Sequence, residues 1–188
     1  MRYRLLDILA CPMCKYFPLE YVVFSERVNP EVKYPSELSK PHCEVYCGLY
    51  RKYIVPENVR RRVIELRDQG LSYSEVAKRV TEETGYYLSE EIAQIVEKII
   101  REGKESEMFH PNPSELPCEE CIKREVVEGI LYCPNCLRWY PIREEIPEML
   151  PDDLRSLDED YEFLMRYRDK VPEIILQQGK PVNITYRK

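Results

Sequence analysis

Four close cysteine pairs are the residues of this chain best placed to do chemistry: Cys11 and Cys14, Cys43 and Cys47, Cys118 and Cys121, Cys133 and Cys136. Two thiolates three positions apart fit on one tight turn and take two corners of a zinc tetrahedron, at about 2.3 Å per Zn–S bond, so each turn needs a partner elsewhere. Cys-Pro-x-Cys occurs twice, at Cys11-Pro12-Met13-Cys14 and at Cys133-Pro134-Asn135-Cys136. If those two turns close on one ion, everything between them is an insert, and Cys43, Cys47, Cys118 and Cys121 form a second set at its base. Spacing permits a rival pairing. Only eleven residues separate Cys121 from Cys133, a usual distance for a local zinc ribbon, which leaves Cys11 and Cys14 with Cys43 and Cys47.

Disulfides, or reduced buried thiols, are the competing use of these cysteines. Leu5, Leu6, Ile8 and Leu9 make too short an apolar run for a signal peptide, and repeated C-x-x-C spacing without one favours metal. One third of the residues are charged, a composition compatible with a thermophile, whose intracellular proteins can carry real disulfides. His42 and His110 border the inner set, but a histidine beside a proline is commonly a loop residue, and neither is assigned as a ligand. A redox role for Cys-Pro-x-Cys would require a βαβ context that the sequence lacks. Six glycines include no phosphate-binding loop, and only two histidines are present to act as bases, so no active site is expected.

The 188 residues are 44% apolar, enough for one sizeable domain or two small ones. Lys plus Arg total 28 against 34 Asp plus Glu, and the net charge of −6 has the wrong sign for binding nucleic acid through an overall field. No apolar stretch is long enough to span a membrane, and the expected location is the cytoplasm.

Leu19–Phe24, rich in β-branched and aromatic residues, reads as a strand, and Ser25–Lys40, with Pro30 and Pro35, as a loop. Three short helices are expected within 56–103. Pro56 opens the first, with Val59, Val63 and Leu66 on one face and Gly70 at its end. Ser72 and Glu75 form a capping box for the second. Ser89 caps the third, where Ile92, Ile95, Val96 and Ile99 recur at helical spacing up to Gly103. Glu105–Pro117 is a polar return linker. Val126–Tyr132 and Trp139–Ile142 read as strands either side of the last cysteine turn. An amphipathic helix carrying Leu154, Leu157, Tyr161, Leu164 and Met165 is expected to start at Asp152 and Asp153, followed by the apolar segment Val171–Leu176 and an edge strand at Val182–Tyr186.

The opening LLDILACPMC, then FPLEY, and far downstream EGILYCPNCLRWYPIREEIPEML together resemble the small zinc-binding activator subunit shared by tRNA, rRNA and release-factor methyltransferases of eukaryotes and archaea. The match covers Met1–Phe24 and Val126–Leu154. The resemblance implies a small antiparallel zinc-ribbon-like domain from 1–40 and 126–154; with the helical patterns read above, the expected fold is α+β, with an insert at 41–125 holding the three helices and a C-terminal helix and tail at 155–188. It also implies that the first and last pairs, Cys11, Cys14, Cys133 and Cys136, ligate one structural zinc. Cys43, Cys47, Cys118 and Cys121 are then a second zinc site, which family members do not generally have. The implied role is noncatalytic, with no S-adenosylmethionine site of its own: a heterodimer subunit that covers an apolar surface on class I methyltransferases, through them reaches tRNA, and ties itself to a sheet edge. Trp139, Tyr140, Ile142, Ile146, Pro147, Met149 and Leu150 are too many large apolar groups for the rim of a small zinc module; some are expected in its own core, and the set is the expected partner surface.

The alternative is a zinc-containing helix-turn-helix regulator of nucleic acid, supported by the helical pattern and by Arg60, Arg61 and Arg62. Against it, Pro56–Glu105 carries nine Lys plus Arg and eleven Asp plus Glu, and the candidate recognition helix opens on Glu90 and Glu91. Specific DNA binding is therefore not expected. The helices read as a packing module, with the arginine run as an RNA contact.

Overall fold

A computed structural model describes residues 1–36, 41–112 and 115–186. The expected Ser25–Lys40 loop and the 105–117 linker thus include residues, 37–40 and 113–114, that lie outside those described. The chain forms two compact units, residues 1–42 with 117–188, and residues 43–116. The fold is α+β, with an antiparallel sheet assembled from both parts of the first unit.

That sheet has the order β1 (Glu20–Val28), β4 (Arg124–Tyr132), β5 (Trp139–Arg143), β6 (Ile146–Pro147). β1 and β4 pair antiparallel, with Val22 opposite Ile130 and Val28 opposite Arg124. β1 runs four residues beyond the expected Phe24, into the segment read as loop. Its polar end is held across the ladder rather than by burial: Arg124 meets Glu26 at 2.9 Å and Arg27 meets Glu125 at 3.0 Å. The register shifts at Ser25, which lets the strand continue past an otherwise poor β sequence. Gly129 lies at the closest approach, since a Cβ there would stand 2.5 Å from the Val22 carbonyl oxygen.

The C-terminal segment packs on this sheet. A 3-10 turn spans Asp152–Leu154, and the helix α6 (Leu157–Arg166) begins after it at Ser156, later than the expected Asp152. Asp152 is drawn away from a capping role by Arg138, at 3.0 Å. Leu154 is exposed, and the buried face of α6 is Asp160, Phe163 and Leu164. With α7 (Glu173–Gln178), these close a core of Phe24, Ile130, Trp139, Phe163, Leu164, Val171, Ile175, Leu176 and Val182. The edge strand expected at Val182–Tyr186 does not form; a single bridge joins Lys180 to Arg138, because Asn183 turns the chain back on itself through its own side chain.

The second unit holds a two-stranded hairpin, β2 (Tyr46–Cys47) with β3 (Lys52–Tyr53), and the helices α1 (Glu57–Asp68), α2 (Tyr73–Thr84) and α3 (Glu90–Arg101). The three expected helices are present with their signals. Ser72 and Glu75 cap α2 reciprocally, Ser89 accepts from the Ile92 amide, and Gly85 closes α2 at φ 72°. Val59, Val63, Leu66, Val76, Val80, Ile92, Val96 and Ile99 are buried between them. Within the expected polar linker, α4 (Glu105–Met108) leads into the buried Phe109, which meets Tyr53. No helix among the described residues is long and apolar enough to cross a membrane.

Candidate metal centre

The strand leaving one cysteine turn and the hairpin entering the other bring four sulfurs together. Cys11, Cys14, Cys133 and Cys136 have donor atoms all within 4.8 Å of one another. The closest crossing pairs are Cys11–Cys136 at 3.6 Å and Cys14–Cys133 at 3.5 Å. Four thiolates bonded to one tetrahedral zinc stand about 3.8 Å apart, so the spacing fits that ion. Each turn is built alike. The Lys15 amide donates to the Cys11 carbonyl at 2.8 Å and the Cys11 amide to Tyr16; the Leu137 amide donates to Cys133 at 2.9 Å and the Cys133 amide to Arg138. Lys15 and Leu137 both take positive φ, near 60°, which folds each turn back towards its own cysteines.

Proton affinities within the quartet diverge. Burial alone would raise the Cys14 thiol, but hydrogen bonds from Asn135, the Tyr16 backbone and the neighbouring sulfurs bring it down to about 6. Burial pushes Cys133 far up. Four sulfurs this close cannot all ionise without a cation between them, which is the chemistry a zinc ion satisfies. Tyr140 places its hydroxyl 3.3 Å from the Cys11 sulfur, and burial, followed by that contact, raises its phenol.

Behind the centre, Arg155 donates to the Trp139 carbonyl at 2.6 Å and pairs with Asp160 at 2.7 Å, where both side chains are 3% exposed. Arg143 meets the other Asp160 oxygen at 3.1 Å. This pair was missed in the sequence, although Asp160 stands at helical spacing between Leu157, Tyr161 and Leu164. A carboxylate on an apolar helix face is the signal for a buried cation partner.

Cys118 and Cys121 form a helical turn, α5 (Cys118–Cys121), in the first unit, while Cys43 and Cys47 belong to the second. Among the described residues the outer quartet is the group of close donors found. His110 accepts from the Asn112 amide at 3.2 Å and stacks on Tyr50; His42 meets Tyr34 edge to face.

The expected partner surface divides. Trp139, Tyr140 and Ile142 are fully buried within the first unit, because the C-terminal segment and the cysteine turns cover both faces of β5. Ile146 is 65% exposed and Leu150 44%, while Pro147 and Met149 are half-buried. The arginine run divides too. Arg60 lies over the Phe109 ring and meets Glu105 at 3.0 Å; Arg62 is held by Glu83 at 2.6 Å and Glu65 at 3.0 Å; Arg61 is exposed. Glu97 of α3 is buried between Arg67 and Arg101, each at 2.8 Å, as suits a packing module.

No curated protein matches this chain. Among solved structures, it is similar to a chain from the E. cuniculi Mtq2-Trm112 complex, responsible for the methylation of the eRF1 translation termination factor. The two are 21% identical, with 80% of this chain and 95% of that chain covered and a TM-score of 0.36. The model of the Trm112p-like protein family matches residues 2–145, a span that contains both turns of the cysteine quartet and the strands that bring them together. The chain belongs to the Trm112p-like protein family.

Proposed function

We propose that this chain is a cytoplasmic, noncatalytic subunit that activates and stabilises S-adenosylmethionine-dependent methyltransferases acting on tRNA or translation factors. The observation that carries this reading is the family match over residues 2–145. The outer quartet holds one structural zinc that fixes the sheet. A second zinc is assigned to Cys43, Cys47, Cys118 and Cys121; metal analysis returning two equivalents supports both sites, and one equivalent removes the inner one.

The partner surface is centred on Ile146, Pro147, Met149 and Leu150, with Trp139, Tyr140 and Ile142 supporting it from beneath. Large apolar groups left in water beside an edge strand are suited to covering a matching apolar face, and cover of that kind stabilises the partner by mass action. Arg61 is the residue of the arginine run left for tRNA, because Arg60 and Arg62 are engaged inside the helical module. That engagement, together with the buried Glu97, favours packing over a groove-reading helix.

Affinity purification from the source cell should recover methyltransferases and no DNA. Ile146→Asp with Met149→Asp should lower complex yield at least about ten-fold while leaving zinc content unchanged, a loss of about 1.4 kcal/mol or more. Undiminished yield would put the interface elsewhere. Recovery of sequence-selective DNA binding in place of a methyltransferase would support the regulator instead.

A further inference from the structure

Gly179–Tyr186 forms neither helix nor strand, yet it occupies an edge of the sheet. The Lys180 amide donates to the Leu137 carbonyl at 3.0 Å, and the Lys180 carbonyl accepts from the Trp139 amide at 3.1 Å, a bridge in the parallel sense. Two residues on, the Val182 carbonyl accepts from the Trp139 indole at 2.8 Å, and the Val182 side chain is buried in the same core. Close approach is built in at Gly179, where a Cβ would meet the Ile175 carbonyl oxygen at 2.3 Å and the Trp139 ring at 3.0 Å.

This strap takes over the β5 edge where β6 leaves it. β6 pairs with Ile142 and Arg143, the Glu148 amide reaches back to Pro141, and the strap fills the remainder at Trp139. The same edge therefore continues from the proposed partner residues directly into the strap. Its hold differs from that of the helices before it. α6 and α7 are anchored by Phe163, Leu164, Ile175 and Leu176 and by the Arg155–Asp160 pair. The strap is held by Val182, a partly buried Ile184, the Trp139 indole, two main-chain bonds at Lys180 and a third from the Ile184 amide to the Leu176 carbonyl at 3.0 Å. Main-chain groups on a strand edge accept any extended segment of the right direction, and lightly anchored segments open at lower free energy than the core.

We propose that Gly179–Tyr186 is an autoinhibitory strap, which occupies the β5 edge and the Trp139 face until a strand of the methyltransferase replaces it there in the same parallel sense. This rests on the activator reading above. The strap then acts as a substitute partner, keeping the edge and the single tryptophan dry while the chain is free.

The test uses the methyltransferase recovered with the chain. Val182→Asp, and a chain ended at Gln178, should each bind it at least about ten-fold more tightly, because the binding-competent fraction is no longer limited by the docked strap. Both should shift Trp139 emission to the red in the free chain and return it to the blue in the complex. Hydrogen exchange on the full chain gives a reading without any substitution, should either variant fold poorly: the Lys180 and Ile184 amides should lose protection when the complex forms. Retained protection, or affinity unchanged or weakened in the variants, overturns the strap while leaving the activator reading intact. Failure of every form, full chain included, to bind a methyltransferase overturns the activator reading and the strap with it.

Discussion

Removing one thiolate from Cys11, Cys14, Cys133 and Cys136 leaves three sulfurs with neither a full ligand set for zinc nor enough protons to share. Cys136→Ser, or a strong chelator, is expected to remove the outer zinc and unfold the sheet unit, since thiolate zinc sites contribute on the order of 10 kcal/mol to folding. Metal analysis paired with Trp139 emission checks this; a native spectrum after chelation contradicts it. Glu97 has a different dependence on solution conditions. Burial acts to raise its carboxyl, but hydrogen bonds from Tyr73, Arg67 and Arg101 outweigh this and hold it down at about 2. A depressed carboxylate gives its full stabilisation above its unfolded value, about 4.3, and loses it as pH falls towards the folded value. The second unit should thus weaken between about pH 4.5 and pH 2 by on the order of 2 kcal/mol. Glu97→Gln should flatten that acid limb and lower stability at neutral pH, as read by amide exchange along α3.

The β5–β6 hairpin turns on Glu144 and Glu145, at φ 47° and 71°. Two consecutive left-handed residues define the turn that Asn-Gly suits best, and each non-glycine residue there costs roughly 1 kcal/mol. Glu144→Asn with Glu145→Gly should therefore raise stability by about 1 kcal/mol, net of the partly exposed Arg27–Glu145 pair, visible as a higher melting temperature. In α6, Asp160→Ala strands Arg155 in the interior and should cost about 3 kcal/mol by denaturant unfolding. Helices of the second unit were legible because their signals are local: Ser72 with Glu75, Ser89, and apolar residues at helical spacing. β5 was legible as a strand, but which of its residues belong to the core was not. Trp139, Tyr140 and Ile142 form a run whose sequence looks the same whether it faces a partner or its own chain, and what covers Trp139 comes from Phe163 and Val182, far along the sequence. The strap was misread as a strand because Val182, Ile184 and Tyr186 alternate, although a single bridge is all they make.

On the scale of the molecule, the cysteine quartet was legible for the opposite reason: paired thiols announce a metal even when their partners are distant, whereas the choice of partner came from resemblance and not from spacing. Cys11 and Cys136 are 125 residues apart in sequence, and β1 finds β4 across the whole second unit. This separation sets a timetable for synthesis. Residues 43–116 emerge complete, with contacts that are local in sequence, while β4 and the second cysteine turn are still inside the ribosome. The helices can fold while the first turn waits with two thiols and no sheet, and ordering of the sheet comes last. Pulse-labelled exchange during refolding should show α1, α2 and α3 protected before β1 and β4. Extra zinc should speed only the later phase, and the period when that phase is incomplete is when Cys11 and Cys14 are most open to oxidation.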